Sequence, residues 1–202
     1  MRVLLVGGTG TIGGAVAGAL EAAGHEVVRV GSSSGEHTVD LADKASIESL
    51  YDAVGEAEAV VCAAGIARFG PLEELDDEAF RSSLANKLMG QVNLVRVGIG
   101  RMSEGGSFTL TSGTLSQRPT PGTTAVAMTG AAVEAFARAA ALDLDGRYRV
   151  NVVSPGWVAE SRVEAGLDPM PGIWAADLAR YYVRCLEGSA NGRTFEAERP
   201  ME

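Results

Sequence analysis

The sequence predicts one doubly wound α/β domain, in which a parallel sheet of about seven strands is covered by helices on both faces. Short runs of β-branched and apolar residues alternate with longer helical patterns along the whole chain, and this alternation is typical of a parallel sheet. The 202 residues are enough for one well-packed domain, and no linker, repeat or charge block divides them. We therefore expect residues 1–202 to form a single domain.

Seven short segments have the character of strands. They are Arg2–Val6, Glu26–Val30, His37–Val39, Ala59–Cys62, Ser107–Thr111, Arg149–Val153 and Arg193–Glu196. Helical patterns fall between them, at Gly13–Ala23, Ser46–Val54, a pair spanning Asp77–Met102, Thr124–Leu142 and Ala175–Glu187. The acidic cluster within residues 73–78 indicates the start of a helix, because carboxylates are stabilised near the positive end of the helix dipole.

The charge balance argues against polyanionic partners. Lys and Arg number 17 and Asp and Glu 26, for a formal net charge of -9. Because no basic stripe interrupts this pattern, binding to nucleic acid or to an anionic membrane is opposed electrostatically. Two cysteines, Cys62 and Cys185, lie in apolar segments without metal-ligand spacing. We therefore expect no bound metal and a cytoplasmic location, where thiols stay reduced.

The loop after the first strand carries a glycine pattern that indicates dinucleotide binding. Glycines in the pattern G-x-x-G-x-x-G let the backbone turn sharply and approach a diphosphate, which the N-terminus of the following helix attracts. We expect contacts to the cofactor from Gly7, Thr9, Gly10, Thr11, Ile12 and Gly13. The alternative is a glycine turn with a purely structural role.

The end of the second strand bears on the choice of cofactor. NAD-selective sites usually place an acid here to bind the ribose hydroxyls, but this chain has the hydroxyl residues Ser32 and Ser33. Since a serine does not repel a 2′-phosphate, the sequence favours NADP(H) over NAD(H). A flexible turn that does not discriminate between the two cofactors is the alternative.

With these landmarks, the chain resembles the short-chain dehydrogenase/reductase family over essentially its whole length. Asp40-Leu41 resembles the pair that meets the adenine ring, Cys62-Ala63-Ala64-Gly65 the turn after the fourth strand, and Ser154-Pro155-Gly156-Trp157-Val158 the turn beside the nicotinamide. The glycine pattern departs from the family's commonest form at Thr11, where that form has glycine. The resemblance implies a Rossmann-like domain with cofactor contacts from Asp40, Leu41, Ala63, Ala64, Gly65, Pro155, Gly156 and Val158.

The catalytic residues that the family implies are only partly present. Ser112 fits the serine that holds the substrate oxygen, but Val126 stands at the position of the proton-donating Tyr and Gly130 at that of its partner Lys. Neither side chain can exchange a proton. Their small size predicts an emptied volume beside the nicotinamide.

A lysine in the preceding helix is a candidate replacement. Counting back from Gly90 places Lys87 where the family usually has an Asn. An ammonium there would face the emptied volume, and a buried lysine can titrate closer to neutrality. We consider Lys87 a relocated acid or oxyanion partner. The alternative is an ordinary surface lysine, with the alignment off by one residue.

The segment at about residues 159–172 is expected to form a small substrate lid, because it is rich in glycine and proline and is bracketed by two tryptophans. Trp157 and Trp174 either contact the substrate or only pack against the rest of the protein. The sequence does not decide between these two roles. Glu160 stands where the family commonly has a Thr near the cofactor amide. It is either a base or a solvated loop acid.

These observations lead to an NAD(P)(H)-dependent oxidoreductase that acts on a small carbonyl or alcohol through a non-standard proton relay of Ser112 and Lys87. A non-redox enzyme on the same fold, such as an isomerase, cyclase or dehydratase, is one alternative. An inactive nucleotide-sensing protein is another. The resemblance also implies a homodimer or homotetramer, paired through the helices at Asp77–Met102 and Thr124–Leu142.

Overall fold

The computed structural model describes residues 1–201. Its core is a seven-stranded sheet in the order β3-β2-β1-β4-β5-β6-β7, with every neighbouring pair parallel. The strands are β1 (Arg2–Val6), β2 (Glu26–Gly31), β3 (His37–Thr38), β4 (Ala57–Cys62), β5 (Met102–Thr111), β6 (Arg149–Pro155) and β7 (Thr194–Ala197). The predicted seven-stranded parallel fold is confirmed.

Helices cover both faces of the sheet. They are α1 (Thr11–Ala22), α2 (Lys44–Val54), α3 (Asp77–Ser83), α4 (Gly90–Gly98), α5 (Thr124–Asp143), α6 (Ala159–Glu164) and α7 (Ala175–Glu187). Buried residues of α2, α4 and α5 share one hydrophobic cluster with the sheet, and those of α1 and α7 share the other. The order of strands reverses between β1 and β4, and the loops after these strands form a crevice where ligands of such folds bind.

The fifth strand is longer than the sequence predicts, since it begins at Met102 rather than at Ser107. Gly105 and Gly106 look like a loop in the sequence, but they let the strand pass close to its neighbour. A Cβ on Gly106 would lie 2.6 Å from the carbonyl oxygen of Glu58 on β4. The predicted helix pair therefore ends at Gly98 and not at Met102.

The helix pair is divided by a short π-helix. Asp76 begins α3 by accepting a hydrogen bond from the backbone of Ala79 at 2.8 Å, as the acidic cluster predicts. Six residues, Leu84–Met89, then form the π-helix that leads into α4. A π-helix changes the phase of the side chains along a helix, and such segments are frequent at functional sites.

The predicted lid contains regular structure and is held at both ends. Residues 159–164 form α6, and Val158 pairs with Ile173 in an isolated β-bridge. Both carboxylate oxygens of Glu160 accept from the backbone N–H of Ala175 at 3.0 Å. Glu160 is therefore neither a free base nor a solvated loop acid, because its carboxylate binds the first turn of α7.

Helix α5 is long and apolar enough to cross a membrane by length and composition alone. In this fold it packs against β6 and β5 as a core helix. It also carries a buried carboxylate, Glu134, whose Oε1 accepts hydrogen bonds from Ser112 and Ser116.

Candidate active site

A cavity of about 480 Å³ opens at the carboxyl edge of the sheet, at the reversal of strand order. It is lined by the ends of the first, second and fourth strands and by the segments that follow them. The lining residues are Val6, Gly7, Thr9, Gly10, Gly31, Ser32, Val39, Asp40, Leu41, Ala63, Ala64, Gly65, Ile66 and Asn86. The geometry thus brings together nine of the sixteen residues predicted to hold a cofactor.

The glycine loop is shaped by close approaches between backbones. Gly7 has a φ of 86°, and a Cβ there would lie 2.8 Å from the carbonyl oxygen of Ala63. A Cβ on Gly13 would overlap the Gly7 carbonyl. Helix α1 begins at the N-cap Gly10 without a side-chain cap, so the first N–H groups of the helix have no side-chain partner. Such groups are the usual donors to a phosphate.

The other seven predicted cofactor residues are not on the lining of this cavity. Thr11, Ile12 and Gly13 form the first turn of α1, and Ser33 lies in an exposed bend after β2. Pro155, Gly156 and Val158 follow β6; Gly156 lines a second cavity with Trp157, and Val158 is buried.

The adenine end of the cavity has one acidic side chain on its lining, that of Asp40, and no basic one. Asp40 accepts from the backbone N–H of Ala42 at 2.8 Å, which fixes its carboxylate at the rim. Arg29, three residues before Ser32, binds both carboxylate oxygens of Glu21 at 2.8 and 2.9 Å. Ser32 and Thr9 therefore supply the hydroxyls at this end of the cavity.

Ser112 follows β5 and is 7% exposed. Its Oγ donates a hydrogen bond to Oε1 of Glu134 on α5 at 2.7 Å. The serine is held in the sheet by its own N–H, which donates to the carbonyl of Val153 on β6. Its position is fixed by both the strand and the helix.

The expected emptied volume at the Lys position is wrong. The 3₁₀ turn Thr114–Ser116 folds back onto α5. A Cβ on Gly130 would lie only 3.3 Å from the Cβ of Ser116 and 3.9 Å from that of Ser112. The small residue at this position lets the turn pack against the helix, so little space is left for a longer side chain there.

Lys87 lies on the π-helix and is half-buried. A Cβ on Gly65 would come within 2.7 Å of its Cδ, so the lysine stem crosses the loop that follows β4. Burial lowers the pKa of the Lys87 ammonium, and the nearby Cys62 thiol offsets this only in part. Within residues 1–201 its Nζ has no hydrogen-bond or ion-pair partner. Lys87 is thus not an ordinary surface lysine.

Gln91 connects this helix to the strand that carries Ser112. Its fully buried amide donates to the carbonyls of Thr111 and Lys87, both at 2.9 Å, and accepts from the Thr111 N–H at 2.7 Å. The Thr111 hydroxyl lies 2.7 Å from that of Tyr182 on α7. Burial raises the pKa of Tyr182 above its usual range, and this tyrosine packs in the interior.

Three residues of the site are absent from the sequence predictions. Asn86 lines the cavity and accepts from the backbone N–H of Ile66 at 2.8 Å. Gln91, which bonds the backbone of Thr111, and Glu134, which accepts from Ser112, are both buried. One signal was available for Glu134, because a single carboxylate in the Ala-rich stretch before Arg138 is unusual on a helix that packs on a sheet.

Comparison with known proteins agrees with this geometry. Residues 8–185 match the family described as enoyl-(acyl carrier protein) reductase. The crystal structure of the protein lin1944 from Listeria innocua is 37% identical, with a TM-score of 0.92 over 97% of this chain and 98% of that one. A small-chain dehydrogenase in complex with NADPH is 25% identical, with a TM-score of 0.86 over 98% of this chain and 96% of that one.

Enzymes with a named reaction match over a shorter stretch of the chain. The 2,3-dihydro-2,3-dihydroxybenzoate dehydrogenase of Escherichia coli (strain K12) is 29% identical over 146 residues, which are 69% of this chain and 56% of that protein. The chain spans about half the length of the curated relatives it matches. The parallel sheet, the glycine loop and these matches agree, and the chain belongs to the short-chain dehydrogenase/reductase family.

Proposed function

We propose that this protein is an NAD(P)(H)-dependent oxidoreductase that interconverts a small carbonyl compound and its alcohol. The observation that carries the proposal is the cavity at the reversal of strand order, which combines a tight glycine loop with the uncapped N-terminus of α1. Such a site fits a dinucleotide diphosphate. Family membership supports the reaction class.

The residues of the cavity fit each part of such a cofactor. The glycine loop would hold the diphosphate, Asp40 and Leu41 the adenine, and Ala63, Ala64 and Gly65 the ribose next to the nicotinamide. When bound, the nicotinamide supplies or accepts the hydride. We propose NADP(H) as the preferred form, because the residue that follows β2 on the cavity lining is Ser32, whose hydroxyl does not repel a 2′-phosphate. The NADPH complex of a structural relative agrees with this choice.

Lys87 and Ser112 are the proposed groups at the substrate oxygen. Ser112 follows β5, and the stem of Lys87 crosses the loop that follows the neighbouring strand β4. Gln91 links the backbones of Lys87 and Thr111. The Lys87 ammonium would donate to the substrate oxygen and stabilise negative charge on it. The residues at 159–172 are proposed as the lid that covers this end.

Binding and turnover test the proposal in two steps. Calorimetric titration should detect binding of NADPH and weaker binding of NADH. A protein that binds neither cofactor would refute the proposed function. A panel of small ketones, aldehydes and alcohols should then reveal turnover of the bound cofactor. Lys87→Ala should lower kcat by about 10²–10³-fold, as removal of a donor that stabilises charge on a substrate oxygen does, with cofactor affinity retained. Lys44→Ala, which removes an exposed lysine side chain of α2, is the matched control.

We further propose a homodimer or homotetramer in the cytoplasm. Apolar side chains stay exposed on the π-helix and α5, namely Leu84, Met89, Met128 and Leu142. Both cysteines are free and buried, as a reducing compartment allows. Light scattering after gel filtration should give twice or four times the chain mass of 20.9 kDa, and a monomer at micromolar concentration would contradict the assembly.

A further inference from the structure

Glu134 is a buried carboxylate that collects hydrogen bonds from several segments. It lies on α5 and is 4% exposed. Its Oε1 accepts from the hydroxyls of Ser112 and Ser116 at 2.7 Å and of Ser154 at 3.3 Å. Its Oε2 accepts from the side-chain amide of Gln117 at 3.4 Å. The donors come from the end of β5, the 3₁₀ turn and β6.

The Glu134 carboxylate is stabilised by hydrogen bonds from hydroxyl groups and not by a cation. Throughout residues 1–201, no Lys, Arg or His approaches Glu134 within ion-pair distance. A protonated acid can donate to one partner only, so at least two of the three hydroxyls donate to Oε1. A carboxylate buried in this way is costly unless its oxygens are well bonded.

This bond determines what Ser112 can offer a substrate. A serine hydroxyl has one proton and two lone pairs, and the proton of Ser112 points to Glu134. Only the lone pairs remain for a ligand. Ser112 therefore accepts a hydrogen bond, and a substrate hydroxyl is the group that can donate one.

We propose that Glu134 is the proton acceptor behind Ser112 when a substrate alcohol is oxidised. The proposal rests on the proposed function, which supplies the oxidised nicotinamide. The carbinol C–H bond breaks and its hydride passes to the nicotinamide, while the hydroxyl proton passes to Oγ of Ser112. The Ser112 proton passes to Oε1 of Glu134 at the same time, and the carbonyl double bond forms. Glu134 is a positioning residue because it acts through Ser112.

Glu134→Gln tests this role, because it keeps the side-chain volume and removes the acceptor. We expect kcat for alcohol oxidation to fall by about 10²–10⁴-fold with KM changed by less than a few fold. Glu134→Asp should recover part of the loss, since it restores a carboxylate at a longer distance. The matched control is Ser116→Ala, which removes an equally short bond to the same oxygen but should cost only a few fold in kcat.

Two measurements do not depend on the activity of that variant. In the cofactor-free protein, the infrared difference between wild type and Glu134→Gln should show the loss of an ionised carboxylate band. Loss of a carboxylic-acid band would overturn the proposal. If the variant does not fold, a proton inventory on the wild type replaces it. Two protons in motion give a curved dependence of kcat on deuterium fraction, and a straight line would overturn the relay.

The outcomes separate this inference from the proposed function. A wild type that binds neither NADPH nor NADH refutes the proposed function, and the relay fails with it. A wild type that oxidises alcohols while Glu134→Gln keeps its kcat refutes the relay alone.

Discussion

Replacing Gln91 by methionine tests how the active-site strand end is held. Gln91 is fully buried, and its amide bonds both the N–H and the carbonyl of Thr111. The paired residues of β4 and β5 end at Val61 and Thr109, so these two groups of Thr111 lie beyond the last paired residue of β4. The glutamine amide takes the place of a neighbouring strand.

The size of the effect follows from the groups that lose their partners. Methionine has a similar volume, so the variant leaves little cavity, but the N–H and carbonyl of Thr111 become buried and unpaired. Each such group costs about 1–3 kcal/mol, so the free energy of unfolding should fall by roughly 2–6 kcal/mol. That is a large part of the ~5–15 kcal/mol that stabilises a domain.

Urea denaturation followed by circular dichroism measures this loss. Tyr51→Phe is the control, because the Tyr51 hydroxyl donates to the carbonyl of Leu94, which lies on the same helix as Gln91, at 2.6 Å. That carbonyl keeps its helical partner, so the control should cost only about 0.5–1.5 kcal/mol. A Gln91→Met loss no greater than the Tyr51→Phe loss would refute the reasoning.

Four further variants probe the cavity and its surroundings. Gly13→Ala should abolish detectable NADPH binding in calorimetry, because its Cβ would overlap the Gly7 carbonyl. Ser32→Asp should weaken NADPH about tenfold, ~1.4 kcal/mol, by repelling the 2′-phosphate, with NADH affinity retained. Trp157→Ala should raise KM about tenfold with kcat retained, since it removes an aromatic surface worth ~1–2 kcal/mol. Lys87→Met should lower kcat and raise the free energy of unfolding.

Neighbouring residues provide the controls. A Cβ on Gly14 meets nothing within 4 Å, so Gly14→Ala should keep NADPH binding, and equal losses in both glycine variants would contradict the backbone argument. Trp174 is as exposed as Trp157, and Trp174→Ala should leave KM near wild type if Trp157 is the substrate contact. An unchanged NADPH-to-NADH ratio in Ser32→Asp would place the 2′-phosphate elsewhere.

Local patterns are enough to predict the sheet and the glycine loop. The alternation of strands and helices is repeated along the chain, and Gly7, Gly10 and Gly13 lie between an apolar strand and a helix. Each strand, helix or glycine pattern is contained within a short segment of sequence. It can therefore be identified without knowing which distant segments the residues contact. The early start of β5 escapes such a prediction, because Gly105 and Gly106 indicate a turn unless the neighbouring strand is considered.

The surroundings of Ser112 depend on contacts between distant segments. The residues that bind Glu134 come from positions 112, 116, 117 and 154, and no local pattern relates them. The filled space beside Gly130 has the same origin, since it depends on how the 3₁₀ turn packs on α5. For this reason the family resemblance locates Ser112 but does not identify its partner.

Lys87 lowers the stability of the folded protein, although we propose that turnover needs its ammonium group. Burial lowers the pKa of its ammonium, while the unfolded chain keeps the usual lysine value of about 10.4. Between these two values the unfolded state binds more protons, so stability rises with pH. The penalty is therefore complete below the lowered pKa and disappears as pH approaches about 10.4. Burial also raises the pKa of the neighbouring Cys62 thiol to about 11, so no thiolate neutralises the lysine at neutral pH.

Lys87→Met should consequently stabilise the protein most at pH values below the lowered pKa of Lys87, and its advantage over wild type should shrink as the pH rises towards about 10.4. Lys44→Met is the matched control, because it removes an exposed ammonium paired with Glu48 at 2.7 Å. That change should lower stability by about 0.3–0.5 kcal/mol and leave kcat unchanged. If Lys87 only filled space, its replacement by methionine would not both raise the free energy of unfolding and lower kcat. If Lys87→Met lost stability at pH values below the lowered pKa, the ammonium would have to be well compensated by groups around it, and its assignment as the donor to the substrate oxygen would fail.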